Sequence, residues 1–215
     1  MLISLAVSWQ LKRKFKQFSQ IRLQSGLSGR EVAEMMLADH GITDVKVISV
    51  EGELTDHYNP ADKTVNLSRY VYSEATAAAA AVAAHECGHA VQHATAYSFL
   101  KFRSAMVPVL SVASKYMQWI ILIGILMMQT TPVPLFIGVV LFGLTTLFSF
   151  ITLPLEFDAS NRALAWIQQR QITTPAEYQK SKSALWWAAT TYVVAALGSL
   201  ATLLYYVSLL MGRRD

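Results

Sequence analysis

Cysteine is almost missing from this chain: Cys87 stands alone among 215 residues. No intrachain disulfide can form, so nothing in the fold is stapled covalently. Charge is scarce too. Asp, Glu, Lys and Arg supply 15% of the residues, where a soluble domain carries about 25%. With 53% hydrophobic residues and a mean hydropathy of +0.35, that deficit excludes an ordinary soluble domain and points to a membrane protein in contact with a lipid bilayer. The net charge of +4 is modest. Its Lys and Arg are spread out and flank apolar segments, which fits loops on the cytoplasmic side of a membrane and argues against nucleic-acid binding. Internal repeats are absent, as are low-complexity linkers beyond one alanine run. Met1–Gln10 is apolar but short, since a crossing needs about 20 residues. It does not read as a signal peptide, because Lys12, Arg13, Lys14 and Lys16 follow the apolar run instead of preceding it. Residues 1–11 are expected to be an apolar anchor at the interface or the end of a longer transmembrane helix.

What the chain does have is Ala77–Ala96, AAAAAVAAHECGHAVQHATA. Alanine is the best helix former, and Thr76 to Ala84 contains no breaker. Within this helix stands His85-Glu86-Cys87-Gly88-His89, an H-E-x-x-H sequence. Residues four apart sit one turn up and about 40° round a helix, so both imidazoles share a face and can hold one metal ion. Glu86 lies beside them, where a carboxylate can take a proton from a water that the metal activates. Two histidines and a glutamate among small apolar neighbours would otherwise be costly polar groups without partners. Cys87 is turned away from the two histidines and reads as a packing residue.

Around this helix the pattern predicts a small α+β portion, residues 12–104. Ser28 with Glu31 forms a capping box for a short amphipathic helix from Leu27 to His40. Val45–Val50 alternates and reads as a strand, and Lys63–Leu67 as another. Glu53–Pro60 lies between them as a strand or loop, so a short β meander is expected ahead of the H-E-x-x-H helix, with Ser73 as that helix's N-cap. Beyond it the chain becomes membranous. Met106–Met128 and Val133–Leu153 are two apolar runs joined by a few residues, a transmembrane hairpin over 105–153. A cytoplasmic segment follows at 154–183, and a third span at 184–211. The expected fold class is thus an α-helical membrane protein with three transmembrane helices and a small α+β portion. Lys115 is the single charge inside the spans and is expected to snorkel to the interface. Eleven Lys and Arg lie between Lys12 and Arg103, while the hairpin turn Gln129–Pro134 has none. Arg162, Arg170, Lys180 and Lys182 follow the hairpin. The positive-inside rule places both flanks in the cytoplasm and the turn outside, with Arg213 and Arg214 weakly against it.

A catalytic zinc site uses three protein ligands and a water. The candidates for the third are Glu156, His93, His57 and Asp158. His93 rises about 12 Å from His85, too far for joint ligation on a straight helix. His57 sits in a polar loop. Glu156 is favoured, because a hairpin returns it to the membrane face from which the chain left. Asp158 is expected to orient a ligating histidine or to pair with Arg162.

Four stretches carry a resemblance that covers almost the whole chain. They are Ser25-Gly26-Leu27 with Glu31-Val32-Ala33, Gly52–Pro60, Ala83–Ala90 around H-E-x-x-H, and Leu153–Ser160. In these the chain resembles the YugP-like neutral zinc metallopeptidases, a family of bacterial membrane proteins. The resemblance implies Zn2+ bound by His85, His89 and Glu156, Glu86 as general base, and endopeptidase activity. The family is one of bacterial membrane proteins, so an inner-membrane protein is expected, with its site facing the cytoplasm by the positive-inside rule and acting on peptides or membrane-protein substrates because it lies near the bilayer. More distantly the chain is similar to gluzincin peptidases, whose third-ligand helix reads E-x-x-x-D. Here Ser160 stands at the Asp position. His57 or Tyr58 is expected to stabilise the oxyanion, and a homo-oligomer is compatible with this reading. The alternative is a zinc-bound membrane adaptor or chaperone-like protein that cleaves nothing.

Overall fold

The structure is a computed structural model that describes residues 2–212; Met1, Arg213, Arg214 and Asp215 lie outside the described residues. Seven helices and three strands follow one another among them. Helix α1 covers Leu2–Phe18, α2 Gly29–Asp39, α3 Arg69–Ser73, α4 Ala77–Ala94, α5 Ser98–Leu126, α6 Val133–Gln169 and α7 Pro175–Met211. The strands are β1 Lys46–Val50, β2 His57–Asn59 and β3 Thr64–Ser68.

Local chemistry sets the helix starts. Ser28 and Glu31 form the reciprocal capping box of α2, and Thr174 and Glu177 that of α7, with Pro175 in its first turn. Helix α4 begins at Thr76, whose hydroxyl accepts from the Ala79 N–H. Ser73 was the expected cap; it is instead the last residue of α3, a short turn of helix that the sequence pattern does not separate from the loop.

The expected meander is also corrected. The strand order is β1-β3-β2, with β1 parallel to β3 and β2 antiparallel to it. The reason lies in burial. Val65, Asn66, Leu67 and Ser68 of β3 are all buried, on both faces, whereas β1 and β2 are partly exposed along their lengths. A strand buried on both faces takes the middle of the sheet, and the half-wet strands take the edges.

Helix α4 is the centre of the molecule. Ala77 to Ala81, Ala83, Ala84 and Cys87 are fully buried, and α2, α3, α6 and α7 all pack against this helix. Alanine removes side-chain bulk from every direction, so helices can surround α4 closely. Polar ties hold the assembly: Ser181 donates to the Ala77 carbonyl at 3.0 Å, Tyr70 donates to the Ser19 carbonyl at 2.8 Å, and Asp39 accepts from Trp166 at 2.7 Å while pairing with Arg170.

Three helices, α5, α6 and α7, are long and apolar enough to cross a membrane. Their outward surfaces are apolar, with Trp119, Leu126, Phe136 and Leu204 exposed. The α5–α6 turn is tight because Gly124 lies against the Leu135 backbone, where a Cβ would approach its nitrogen to 2.4 Å. Lys115 is exposed on α5, its ammonium 5.7 Å from the Tyr116 ring centroid. Helices α6 and α7 run unbroken through residues 154–183 save for the loop before Pro175, so the segment between the second and third spans is mostly a helical extension of both. Pro154 removes one backbone donor without ending α6.

Leu67 on β3 is fully buried in this core. Leu67→Ala is expected to cost about 2–5 kcal/mol and to lower the melting temperature in detergent. An unchanged transition would remove the sheet from the cooperative core.

Candidate metal centre

His85 and His89 sit on successive turns of α4 with their rings 4.9 Å apart, edge to face. The residue that meets them comes from α6. Glu156 is 2% exposed, and its Oε2 lies 3.4 Å from His85 Nε2 and 3.6 Å from His89 Nε2. The three donor atoms all lie within 4.8 Å of one another. Glu156 Oε2 is buried and makes no hydrogen bond. A carboxylate oxygen so placed is expensive. Its separations from the imidazoles exceed the 2.7–3.2 Å of an N–H···O bond. They match ligands on one tetrahedral ion, which stand roughly 3.4 Å apart when each is about 2.0–2.1 Å from the metal. The donor set therefore fits a zinc-sized cation.

The remaining ring nitrogen of His89 identifies its tautomer. Gln92 is fully buried, and its Nε2 donates to the Leu155 carbonyl at 2.8 Å and to Asp158 Oδ2 at 2.8 Å. Both partners only accept, so the amide cannot be reversed and Oε1 must face His89 Nδ1, at 2.9 Å. Nδ1 of His89 therefore carries the proton, and Nε2 presents its other side to Glu156. His85 Nδ1 lies 3.1 Å from Ser160 Oγ, which holds its Nε2 toward the same point. The serine that departs from E-x-x-x-D thus still reaches a histidine. Asp158 fills both expected roles, through Gln92 to His89 and through a 2.6 Å bond from Arg162.

Burial by itself would favour a neutral His89. The Glu156 and Glu86 carboxylates and the Gln92 amide outweigh it and raise the pKa above the ordinary value. The same negative potential favours a cation. Glu86 is 8% exposed, on α4 next to His85, and accepts no hydrogen bond from the described residues. Cys87 points away, its Sγ 3.5 Å from the Ala33 carbonyl, and burial followed by the Glu86 charge pushes its thiol up, leaving it unreactive.

The other expected residues separate. His57 is exposed, its Nδ1 at 2.8 Å from the Thr55 carbonyl. Its strand neighbour Tyr58 points the opposite way. The Tyr58 hydroxyl meets His93 Nδ1 at 2.7 Å and lines a cleft of about 580 Å³ that His89 also lines. Burial, with Asp44 adding, pushes the Tyr58 phenol up to about 12, so it stays a donor. His93 is thereby engaged with Tyr58 and is not part of the three-atom cluster.

Two residues were not singled out from sequence. Gln92 had a signal: it lies three after His89 on the same helix face, a long amide in a run of small residues. Arg103 had none. Its Nη1 lies 3.3 Å from Glu156 Oε1, an encounter only the packing of α5 against α6 creates. Arg103 lies 23 positions before the end of α5 at Leu126, and Glu156 lies 23 positions after the start of α6 at Val133, so the two hairpin arms bring them level.

The approach that assembles the site is the α4–α6 crossing. A Cβ on Gly88 would lie 2.6 Å from the Ala159 carbonyl oxygen. Gly88→Ala is expected to push α6 outward and to lose most of the metal although all three ligands remain, as elemental analysis would show. Cys87→Ala, one residue away, should keep it. Ser160→Ala is expected to weaken metal affinity by roughly 10–100-fold.

A family profile described as "Putative neutral zinc metallopeptidase" matches residues 1–211. The chain is 38% identical over 213 residues to the "Putative membrane protease YugP" of Bacillus subtilis (strain 168), covering 99% of this chain and 94% of that protein. No solved structure matches the chain significantly.

Proposed function

The chain belongs to the neutral zinc metallopeptidase family, and from that premise we propose that it is a membrane-embedded zinc endopeptidase working at the cytoplasmic membrane face. The observation that carries the reading is the orphaned Glu156 Oε2 between the His85 and His89 imidazoles, with Glu86 alongside. His85, His89 and Glu156 are the ligands. Zinc, when bound, supplies a Lewis acid for the scissile carbonyl and acidifies water. Glu86 takes the proton from the attacking water and returns it to the leaving amine. Glu86 is 8% exposed and its carboxylate accepts no hydrogen bond from the described residues, so its oxygens are free to meet a water. A structural zinc site has no need of such a base.

Tyr58, not His57, takes the part of oxyanion donor. It faces the cleft, it remains protonated at neutral pH, and in this reading His93 Nδ1–H donates to its oxygen, which leaves the phenol's one proton for the oxyanion. Membrane depth follows from helix length. The 23 residues from Val133 to Glu156 rise about 35 Å, slightly more than the roughly 30 Å hydrocarbon core. Glu156 then sits just beyond the lipid, on the side of the hairpin that carries eleven Lys and Arg before it and four after.

Zinc content and peptide hydrolysis of detergent-purified protein test this reading. Wild type should bind one zinc; Glu156→Ala should lose most of it; Glu86→Gln should keep it and lose activity. Zinc in Glu156→Ala equal to wild type would mean another third ligand, and zinc without any hydrolysis would favour the adaptor. Tyr58→Phe is expected to retain zinc and to lower kcat by about 10²–10³, whereas His57→Ala should leave kcat nearly intact.

A further inference from the structure

The cleft beside the metal centre has a polarity of charge that the hydrolytic chemistry does not use. It runs from His89 and Tyr58 along the first turns of α5, past Leu100, Lys101, Arg103 and Val107. No Asp or Glu lines it among the described residues. The nearby acids of the sheet side are already engaged: Asp44 pairs with Lys63, and Asp62 accepts from Asn59 at 2.7 Å. Five other cations, Arg30, Lys63, Arg69, Arg162 and Arg170, are paired with carboxylates. Lys101 is not; its ammonium is exposed and makes no ion pair with the described residues. Arg103 spends one contact on Glu156, while its side chain is still 35% exposed. A guanidinium has five N–H donors, so most remain for a ligand. Two cations on one wall, with Leu100 and Val107 between and beyond them, form a surface that attracts a carboxylate flanked by apolar groups.

Resting on the peptidase reading above, the geometry points to selection of peptide substrates that carry an acidic residue close to the scissile bond, on the side lying along α5, with Lys101 and Arg103 as the residues that read it. Lys101 acts through charge alone. Arg103 has a second effect, because its bond to Glu156 Oε1 couples a carboxylate in the cleft to the metal ligand's orientation. Lys101 is therefore the clean probe. The apolar side chains on the same wall favour an acidic residue next to hydrophobic ones.

The test is digestion of a proteome-derived peptide library by the zinc-loaded full chain in detergent, with cut sites read by mass spectrometry. A matched peptide set follows, with Glu, Gln or Lys at the selected position. Asp and Glu should be enriched near the cut, and the Glu peptide should exceed the Gln peptide in kcat/KM by about tenfold. High salt should shrink that ratio. Lys101→Glu should invert the order of the Glu and Lys peptides while zinc content stays at the wild-type level. Equal cleavage of the three peptides, or an order that Lys101→Glu leaves unchanged, would overturn the selection. Failure of the zinc-loaded protein to cut any library peptide would overturn the peptidase reading itself, and the selection with it.

Discussion

The crossing of α4 and α6 at Gly88 and Ala159 decides whether this protein has a metal centre. Two imidazoles on one helix are a half-site. A third donor must arrive within about 3.5 Å of both, and it comes from a helix that has travelled through a hairpin in between. Only a residue without a side chain lets the two backbones close to that distance. The fully buried alanines of α4 extend the same principle along the helix. They give up side-chain packing on α4 itself, and in return α2, α3, α6 and α7 all come near one axis. Burial of the site follows, and burial is what makes an unpaired Glu156 oxygen costly and a cation there favourable.

The histidines are held by two different devices. His89 is fixed by a chain of hydrogen bonds, through Gln92 to Asp158 and then to Arg162, in which each link has only one possible direction. His85 relies on the Ser160 hydroxyl alone. A hydroxyl can both donate and accept, so this link is looser than a carboxylate would be. The asymmetry goes with burial: the His89 side chain is 6% exposed and that of His85 13%.

The membrane hairpin does more than anchor the chain. Its arms are equal in length from the turn, so Arg103 on the way out and Glu156 on the way back stand at one height. The Glu156 carboxylate and a cationic cleft wall are thereby placed together at the end of the spans. The small sheet contributes from the opposite side, where β2 offers Tyr58 to the cleft and His57 to solvent. Strand alternation alone makes that choice, and a one-residue slip of β2 would exchange the two.

Much of the site was legible in sequence because its information is local. H-E-x-x-H at helical spacing determines a shared face, the alanine run determines the helix, the capping box at Ser28 determines the start of α2, and three long apolar runs determine the helices able to cross a membrane. Glu156 could be inferred from hairpin topology. What only the tertiary structure decided depends on contacts between segments far apart in the chain. The order β1-β3-β2 follows from which strand is buried on both faces. Gln92 matters because the Leu155 carbonyl and Asp158 meet it across α6. Arg103 matters because α5 and α6 match in length. Tyr58 and not His57 faces the cleft through the pairing of β2 with β3. Spacing along one helix is written in the order of residues, but the distance between two helices is set by how their surfaces pack.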